Sequence, residues 1–419
     1  MTGRDHDIDG ERMWNEFIRI CDCGGRLLGT ASELAARQLL EKIGREATGA
    51  AVQQMSVSYD GWQASRCELT GADGGQLTCH PLLQSPVTAP GGLEAEVVDV
   101  GRGTRQEFAA HADEIPGRIV MVRHELMFAA GTIHRSCKYL SACKAGAAGF
   151  LIAGPLPNSP VSGSSGFEDG MGIPALGISR DVGDALASTS HGRQKVRMVI
   201  AASQAPAQAP NLIFDMPGQA GEWVVLSAHI DGHDLAESAI DDASGLAVAL
   251  AVARALSGQV AACRRGLRLV LFNVEEWALN GSAHYVASLS HHEREAVAIN
   301  VNIDCVGVGA RLTALTSGFA GCEPFLLAQS EQAGVALNLF RPLQMNSDHG
   351  NFAKAGIPAF RLVSGFNDAS ADTRFVLTAE DTRDKVAPDN LEAAARLTLQ
   401  IVAAALTAWP EDVAGWRAG

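Results

Sequence analysis

The sequence predicts an α/β protein whose main domain is a three-layer α/β/α sandwich with a mostly parallel central sheet. Strand-like and helix-like segments alternate from residue 221 onward, which is typical of βαβ units. The strand-like segments are continuous apolar runs, and such runs indicate strands buried on both faces of a parallel sheet. A smaller, β-rich α/β domain is predicted as an insert before them.

The elements follow from these patterns in chain order. Residues 12–48 carry apolar side chains at helical spacing, interrupted by glycines, so we expect two helices joined by a glycine turn. A glycine-rich loop is expected at 162–172. The predicted strands of the insert and of the main domain are 118–123, 150–153, 223–228, 267–274, 298–303 and 359–362. The predicted helices are 136–145, 244–256, 282–289, 324–333 and 391–409.

Two passages rich in small and turn-forming residues, 71–92 and 204–210, indicate where domain boundaries fall. We therefore assign residues 1–85 to the N-terminal part of the main domain and residues 86–200 to the insert. Residues 201–419 form the rest of the main domain and carry the site described below. A chain of 419 residues is long enough for this organisation.

Composition excludes several classes of partner. The chain has 33 Lys and Arg against 47 Asp and Glu, and its longest basic run is the pair Arg264-Arg265. A nucleic-acid or anionic-membrane surface needs clustered basic residues, so neither partner is expected. No run of about 18 apolar residues predicts a membrane-spanning helix. The polar start and nine cysteines without zinc-finger spacing favour a cytoplasmic protein with reduced thiols.

Side chains able to bind a metal follow the predicted strands. In open α/β sheets, ligands bind beyond the carboxyl ends of the strands, so these residues are candidates for one site. A single histidine or glutamate would more often be structural, but several strands that end in such groups indicate a shared function. The candidates are His229, Asp231, Asp241, Glu275, Glu276, Asp304 and His349.

The adjacent acids Glu275 and Glu276 carry the chemical argument. Two close carboxylates ionise together only where a cation or a proton compensates their charge. A divalent metal provides this, with one glutamate as a ligand and its neighbour as the general base that activates a water. Carboxylate and imidazole ligands suit Zn²⁺, Mn²⁺ or Co²⁺.

Local sequence leaves two assignments to be made. In the run His229-Ile-Asp231, the two-residue period of a strand places both side chains on one side. The Asp231 carboxylate is therefore expected to orient the imidazole. For Asp241 a metal ligand and a helix cap are equally good interpretations, since Asp-Asp-Ala-Ser-Gly is also a capping sequence.

Ordered motifs extend these observations. They are Val224–Asp231, Asp241–Gly245, Leu271–Glu276 with Gly281-Ser282, Asn302–Asp304 and, near the N-terminus, Arg26–Glu33. This series resembles the co-catalytic zinc aminopeptidase family, which includes bacterial leucyl aminopeptidases and the glutamate carboxypeptidase II type and has a zinc-exopeptidase-like fold. In the insert, the segments 117–122, 144–149 and 173–178 resemble a protease-associated domain.

The resemblance implies a role for each residue. It makes His229 and Asp304 ligands of one metal, Glu276 a ligand of a second metal, and Asp241 the bridge between them. Glu275 becomes the general base, and Asp231 braces His229.

One departure from the family is important. The family completes its second metal with the histidine of a His-Thr-x-x-Asp-Thr motif, whereas this chain has Leu377 there. Leucine cannot coordinate a cation. We therefore expect one tightly bound ion per chain and leave the second open. His349 is the first candidate for a substitute ligand, and His233 and His284 are further ones.

The resulting prediction is a metal-dependent hydrolase that cleaves a C–N bond of a small molecule or short peptide. The loss at Leu377 leaves open whether the substrate is a peptide, an N-acyl amino acid or an aromatic amine that is deaminated. Arg361 and Arg374 are candidates for binding a substrate carboxylate. The alternative for each is a surface ion pair.

Two further classes compete with the hydrolase. A catalytically silent binding protein of the same fold would have lost ligands, and the retention of Glu275 argues against it. A structural assembly module built on the insert would bind no metal. An inserted domain often supports assembly, so a homo-oligomer is one expectation.

Overall fold

The structure is a computed structural model that describes residues 7–165, 172–188, 193–309 and 311–418. Residues 166–171 of the predicted glycine-rich loop lie outside the described residues. The chain forms two compact units. The large unit comprises the described residues of Met1–Tyr59, Gln208–Thr373 and Asp381–Gly419, and the small unit comprises those of Asp60–Ala207 and Arg374–Glu380.

The described residues form strands and helices along the whole chain. The strands are β1 (Val52–Gly71), β2 (Gln76–Leu77), β3 (Cys79–Pro81), β4 (Leu93–Asp99), β5 (Ile119–Arg123), β6 (Gly149–Ala153), β7 (Ala175–Ile178), β8 (Lys195–Met216), β9 (Trp223–His229), β10 (Gly266–Phe272), β11 (Val297–Ile303), β12 (Leu312–Leu315), β13 (Leu337–Phe340) and β14 (Ala359–Ser364). The α-helices are α1 (Gly10–Cys21), α2 (Ala31–Thr48), α3 (Arg105–Ala110), α4 (Arg135–Lys144), α5 (Arg180–Ala187), α6 (Ser244–Leu256), α7 (Asn280–Ser288), α8 (His291–Ala296), α9 (Glu323–Ala333), α10 (His349–Lys354), α11 (Pro388–Thr407) and α12 (Pro410–Trp416).

The sheet of the large unit has the strand order β13-β12-β14-β11-β9-β10-β8. Four of its strands, in the order β14, β11, β9 and β10, are parallel to one another. β8 is antiparallel to β10, and β12 is antiparallel to β14. All seven residues of β11 are buried. The predicted α/β fold with a mostly parallel sheet is confirmed, with antiparallel strands on both sides of the parallel group.

Helices cover both faces of this sheet. On one face, α6 packs against α1, α2 and α11. On the other, aromatic residues of β10, α7 and α10 form one apolar cluster, in which the rings of Phe272, Tyr285 and Phe352 are in mutual contact. Because helices cover both faces of the sheet, polar groups collect in the loops at the ends of the parallel strands.

The small unit contains a second run of parallel strands. β4, β5, β6 and β7 are parallel in that order, and β3 pairs antiparallel with β7. Leu377 belongs to this unit, where it is buried and its carbonyl oxygen accepts a hydrogen bond of 2.8 Å from the backbone N–H of Ser162.

The small unit begins at Asp60 and ends at Ala207, so it is longer at both ends than the insert predicted at 86–200. It gains this length because β1 and β8 are long strands, and each begins in one unit and ends in the other. The boundaries at 85/86 and 200/201 stay predictions. No helix in the described part of the chain is long and apolar enough to cross a membrane.

Gly245, at the start of α6, fixes the distance between this helix and β11. A Cβ there would lie 2.4 Å from the carboxylate of Asp242 and 2.4 Å from the carbonyl oxygen of Ile303. Only glycine allows this approach, which brings the loop before α6 against the end of β11.

We expect Gly245→Ala to lower the free energy of unfolding by about 1–3 kcal/mol, the usual cost of overpacking a core position. Gly258→Ala is the matched control, because a Cβ at Gly258 would meet nothing within 4 Å. Urea unfolding of both variants measures the difference. Equal stabilities would show that the close approach at Gly245 is not required.

Candidate metal centre

Three parallel strands deliver polar residues to one edge of the large-unit sheet. In the strand register, Phe272 of β10 pairs with His229 of β9, and Asn302 of β11 pairs with Ser227 of β9. The strands thus end together, and the residues after them meet beyond their carboxyl ends, where α/β sheets bind ligands.

His229 ends β9 and is 1% exposed. Its Nδ1 lies 2.9 Å from the backbone carbonyl oxygen of Asp231. A carbonyl oxygen only accepts hydrogen bonds, so Nδ1 carries a hydrogen and Nε2 is the nitrogen that a metal would bind. That Nε2 lies 2.9 Å from Oδ1 of Asp241 and 3.9 Å from Oδ1 of Asp304. Against the effect of burial, the nearby carboxylates raise the pKa of His229 well above its usual value, so without a metal Nε2 donates to Asp241. An imidazole nitrogen between two carboxylates is the arrangement expected of a metal ligand.

The carboxylate of Asp231 has a different partner from the predicted one. It accepts hydrogen bonds of 3.0 Å from the backbone N–H groups of both Glu275 and Glu276. The prediction that this carboxylate orients His229 is therefore wrong, because the backbone carbonyl of Asp231 does so. The side chain instead fixes the backbone of the two glutamates after β10.

Asp304, directly after β11, is held by two side chains. Ser347 donates a hydrogen bond from its Oγ to Oδ2, and Nη2 of Arg361 donates one to Oδ1 at 2.8 Å. Arg361 is 2% exposed and also donates to the carbonyl oxygen of Asn346. The alternative of a surface ion pair is wrong, because this guanidinium is buried and donates to Asp304, which it orients. Binding of a substrate carboxylate by Arg361 stays a prediction.

The pair Asp241-Asp242 divides the two roles that the sequence left open for Asp241. The side chain of Asp241 points at Nε2 of His229. The capping contact belongs to Asp242, whose carboxylate accepts from the backbone N–H groups of Gly245, His229 and Cys305. Sequence reasoning missed Asp242, although the capping sequence was a signal for it.

Negative charge is concentrated at this edge. Burial and the carboxylates of Glu276, Asp348 and Asp304 raise the pKa of Glu275 well above its usual range. Burial and the carboxylate of Asp241 raise the pKa of Glu276 to about 7. Such shifts mark acids that lack a compensating positive charge.

The residues present fit a divalent ion. One ligand atom from each of His229, Glu275 and Asp304 lies within 4.8 Å of the others, and the same holds for Asp241, Asp304 and Cys305. Burial raises the pKa of the Cys305 thiol well above its usual value, so the carboxylates and the imidazole are the better donors. Glu276 is in neither group.

Comparisons with known proteins agree with this centre. Residues 211–402 match peptidase family M28, and residues 86–186 match the PA domain. The chain therefore carries a peptidase family M28 domain and an inserted PA domain. The resemblance to the zinc aminopeptidases with a protease-associated domain is thus confirmed, and the chain is a metal-dependent, aminopeptidase-like hydrolase.

Several relatives of this M28 chain are aminopeptidases. Aminopeptidase YwaD of Bacillus subtilis (strain 168) is 25% identical over 393 residues, which cover 90% of this chain and 81% of that protein. The structure of an aminopeptidase from Aneurinibacillus sp. strain AM-1 has a TM-score of 0.73 at 26% identity and covers 96% of this chain and 95% of its own. BSAP, a zinc aminopeptidase from Bacillus subtilis, shares the fold with a TM-score of 0.77 at 23% identity, over 96% and 97% of the two chains.

Asp381 is a further residue of this M28 site that sequence reasoning missed. Its carboxylate accepts hydrogen bonds from the backbone N–H of Ile240 at 2.6 Å and from that of Asp241 at 3.4 Å. It therefore positions Asp241 through the main chain. The signal was the aspartate of the motif in which the chain has Leu377.

The other predicted residues belong to neither of the two potential ligand groups. His349 is fully buried, and burial and the charge of Arg361 lower its pKa to about 3. His284 is exposed on α7. Arg374 lies in the small unit, with its guanidinium 4.4 Å from the ring centre of Phe375. Metal binding by His349 or His284 and substrate binding by Arg374 stay predictions.

Arg26 holds the loop between β9 and α6 in place. Its side chain is fully buried and donates hydrogen bonds to the carbonyl oxygens of Ile230, Glu237 and Ser238 at 2.7–2.8 Å. The loop carries Asp241, so the N-terminal segment contributes to the metal centre without supplying a ligand.

We expect Arg26→Met to lower the free energy of unfolding by about 3 kcal/mol or more, because it leaves buried carbonyl groups without donors. Arg45→Met is the control, since Arg45 is 56% exposed and pairs with Glu41 on the same helix, a pair worth about 0.5 kcal/mol. Chemical unfolding compares the two. A similar loss in both variants would contradict the role given to Arg26.

Proposed function

We propose that this chain hydrolyses the amino-terminal peptide bond of short peptides, with one divalent ion at His229, Asp241 and Asp304 and with Glu275 as the general base. The single observation that carries the proposal is the position of the His229 imidazole, whose Nε2 lies between the carboxylates of Asp241 and Asp304 and which forms a potential ligand group with Glu275 and Asp304.

The ion, when bound, would polarise the scissile carbonyl and make water a stronger acid. Side chains carry out the proton transfers and hold the groups in position. Glu275 takes a proton from the attacking water and passes it to the nitrogen of the leaving group. Its high pKa in the absence of cations suits an acid that must hold that proton in mid-reaction. Asp231 keeps the Glu275 backbone in place, and Arg361 keeps Asp304 in place.

We assign zinc as the ion, with manganese and cobalt as alternatives. Imidazole and carboxylate donors suit all three, and the related BSAP is described as a zinc aminopeptidase. One ion per chain is proposed because Leu377 removes a ligand of the family's second position.

The peptide substrate is supported by the relatives that are named aminopeptidases. Leu377 supports a second candidate, a small non-peptide substrate such as an N-acyl amino acid or an aromatic amine, because the family's second ion helps to hold the free amino group of a peptide. The zinc-loaded protein is tested side by side for hydrolysis of aminoacyl anilides, N-acyl amino acids and aromatic amines. This comparison separates the peptide substrate from the non-peptide substrate. Turnover confined to the last two groups would overturn the aminopeptidase proposal.

We also propose a cytoplasmic location. Its support is the set of nine free cysteines, which suits a reducing compartment.

Glu275→Gln is expected to lower kcat by about 100- to 10,000-fold, because a glutamine side chain cannot accept the proton of the attacking water. The variant keeps the volume of the side chain, so zinc content and melting temperature should stay close to those of the wild type. Steady-state kinetics with an aminoacyl anilide measure the loss. Near-normal turnover would remove Glu275 from the mechanism.

Elemental analysis of the zinc-loaded protein is expected to give about one equivalent of zinc per chain. His229→Ala is expected to lose most of this zinc, because removal of a ligand or of a residue that supports one typically lowers metal affinity by about 10- to 100-fold or more. His284→Ala is the control, because His284 is exposed on α7 and its removal should leave the zinc content unchanged. Two tightly bound equivalents in the wild type would refute the one-ion proposal.

A further inference from the structure

His233 lies four residues after His229 in the loop that follows β9, and its ring has the opposite arrangement of donors. It is fully buried. The backbone N–H of Leu235 donates a hydrogen bond of 3.3 Å to its Nδ1. Because Nδ1 accepts this bond, the neutral ring carries its hydrogen on Nε2. His233 therefore presents an N–H donor, whereas Nε2 of His229 is the nitrogen that a metal would bind.

The Nε2–H of His233 has no hydrogen-bond partner among the described residues. Oδ2 of Asp381 lies 3.8 Å from this nitrogen, which is too far for a hydrogen bond. Buried donors are almost always paired, so an unpaired one inside a polar site indicates a group that binds there and completes the bond.

A matching acceptor belongs to the same part of the site. Oε1 of Glu276 is buried and has no hydrogen-bond partner in the described part of the chain. The carboxylate of Asp381 acts most strongly on His233, and those of Glu276 and Asp241 act on it too; against the effect of burial, the three raise the pKa of its ring. In the family, the acids at the positions of Glu276 and Asp241 hold the second metal ion together with the histidine that Leu377 replaces here.

A second ion bound through His233 does not fit this arrangement, since a ligand must offer a lone pair and its Nε2 bears a hydrogen. We propose that His233 is a substrate-binding residue: its Nε2–H and Oε1 of Glu276 together bind an uncharged amino or amide group of the substrate, in place of the second metal ion. Such a group accepts one hydrogen bond and donates another. The inference rests on the proposed function, which supplies a one-ion site and leaves Glu276 free.

Metal content tests whether His233 is a donor or a ligand. Wild type, His233→Leu and His233→Gln should each bind about one equivalent of zinc, and the visible absorption of the cobalt-substituted proteins should be the same in all three. A fall from two equivalents to one in His233→Leu, or a changed cobalt spectrum, would show that His233 is a ligand and overturn the inference.

Binding of L-leucinamide tests the proposed contact. Calorimetry uses the zinc-loaded Glu275→Gln parent, which does not consume the probe, at about pH 9, where the amino group of the probe is uncharged. His233→Leu should weaken binding about tenfold, the effect of one lost hydrogen bond. His233→Gln keeps an N–H donor and should stay within about threefold of the parent. Equal affinities in the three proteins, or no binding to the parent, would overturn the inference.

Melting temperature separates this role from a structural one. His233→Leu removes the unpaired Nε2–H together with the Nδ1 that accepts from the backbone N–H of Leu235, so its melting temperature should be close to or below that of the parent. His233→Gln has both an acceptor and a donor and should keep the melting temperature of the parent. A lower melting temperature with parallel losses of binding in both variants would make His233 a structural residue. Failure of the proposed function would give a different result, namely no turnover by the zinc-loaded wild type. Zinc content and cobalt spectra would still show whether His233 is a donor or a metal ligand.

Discussion

The burial of several carboxylates at one edge of a sheet is the constraint on which this site depends. Each carboxylate loses its hydration on folding and needs a replacement. Backbone N–H groups provide it for Asp231, Asp242 and Asp381. Those three acids hold the main chain, whereas Asp241 and Asp304 face His229, and Asp304 is also held by Arg361. The acids thus separate into a set that shapes the loops and a set that faces the metal centre.

This separation explains why the loops after the parallel strands keep their shape although they have little regular structure. Asp242 alone joins the end of β9, the start of α6 and the residue after Asp304. Arg26 joins the N-terminal segment to the loop before α6. The sheet sets the positions of the strand ends, and buried ionic groups fix the donors and acceptors beyond them.

The sequence was informative where a pattern is local. Helix α6 has its predicted bounds, because a capping sequence precedes an apolar run of helical length. The residues directly after β9, β10 and β11 were found because strand ends are visible as the limits of apolar runs. The long strands β1 and β8 were not predicted, because exposed residues interrupt the buried ones along both strands. Asp381 was missed because it acts 140 residues away, on the backbone of Asp241.

Local sequence could not show the division of labour between two histidines four positions apart. Both are buried, and the carboxylate of Asp241 acts on both. What differs is the group beside Nδ1. A carbonyl oxygen faces His229 and leaves Nε2 as the nitrogen that a metal would bind, whereas an amide N–H faces His233 and forces a hydrogen onto Nε2. Residue types therefore predict that a metal centre exists, but the backbone around each ring decides which histidine binds the ion and which is free to bind a substrate.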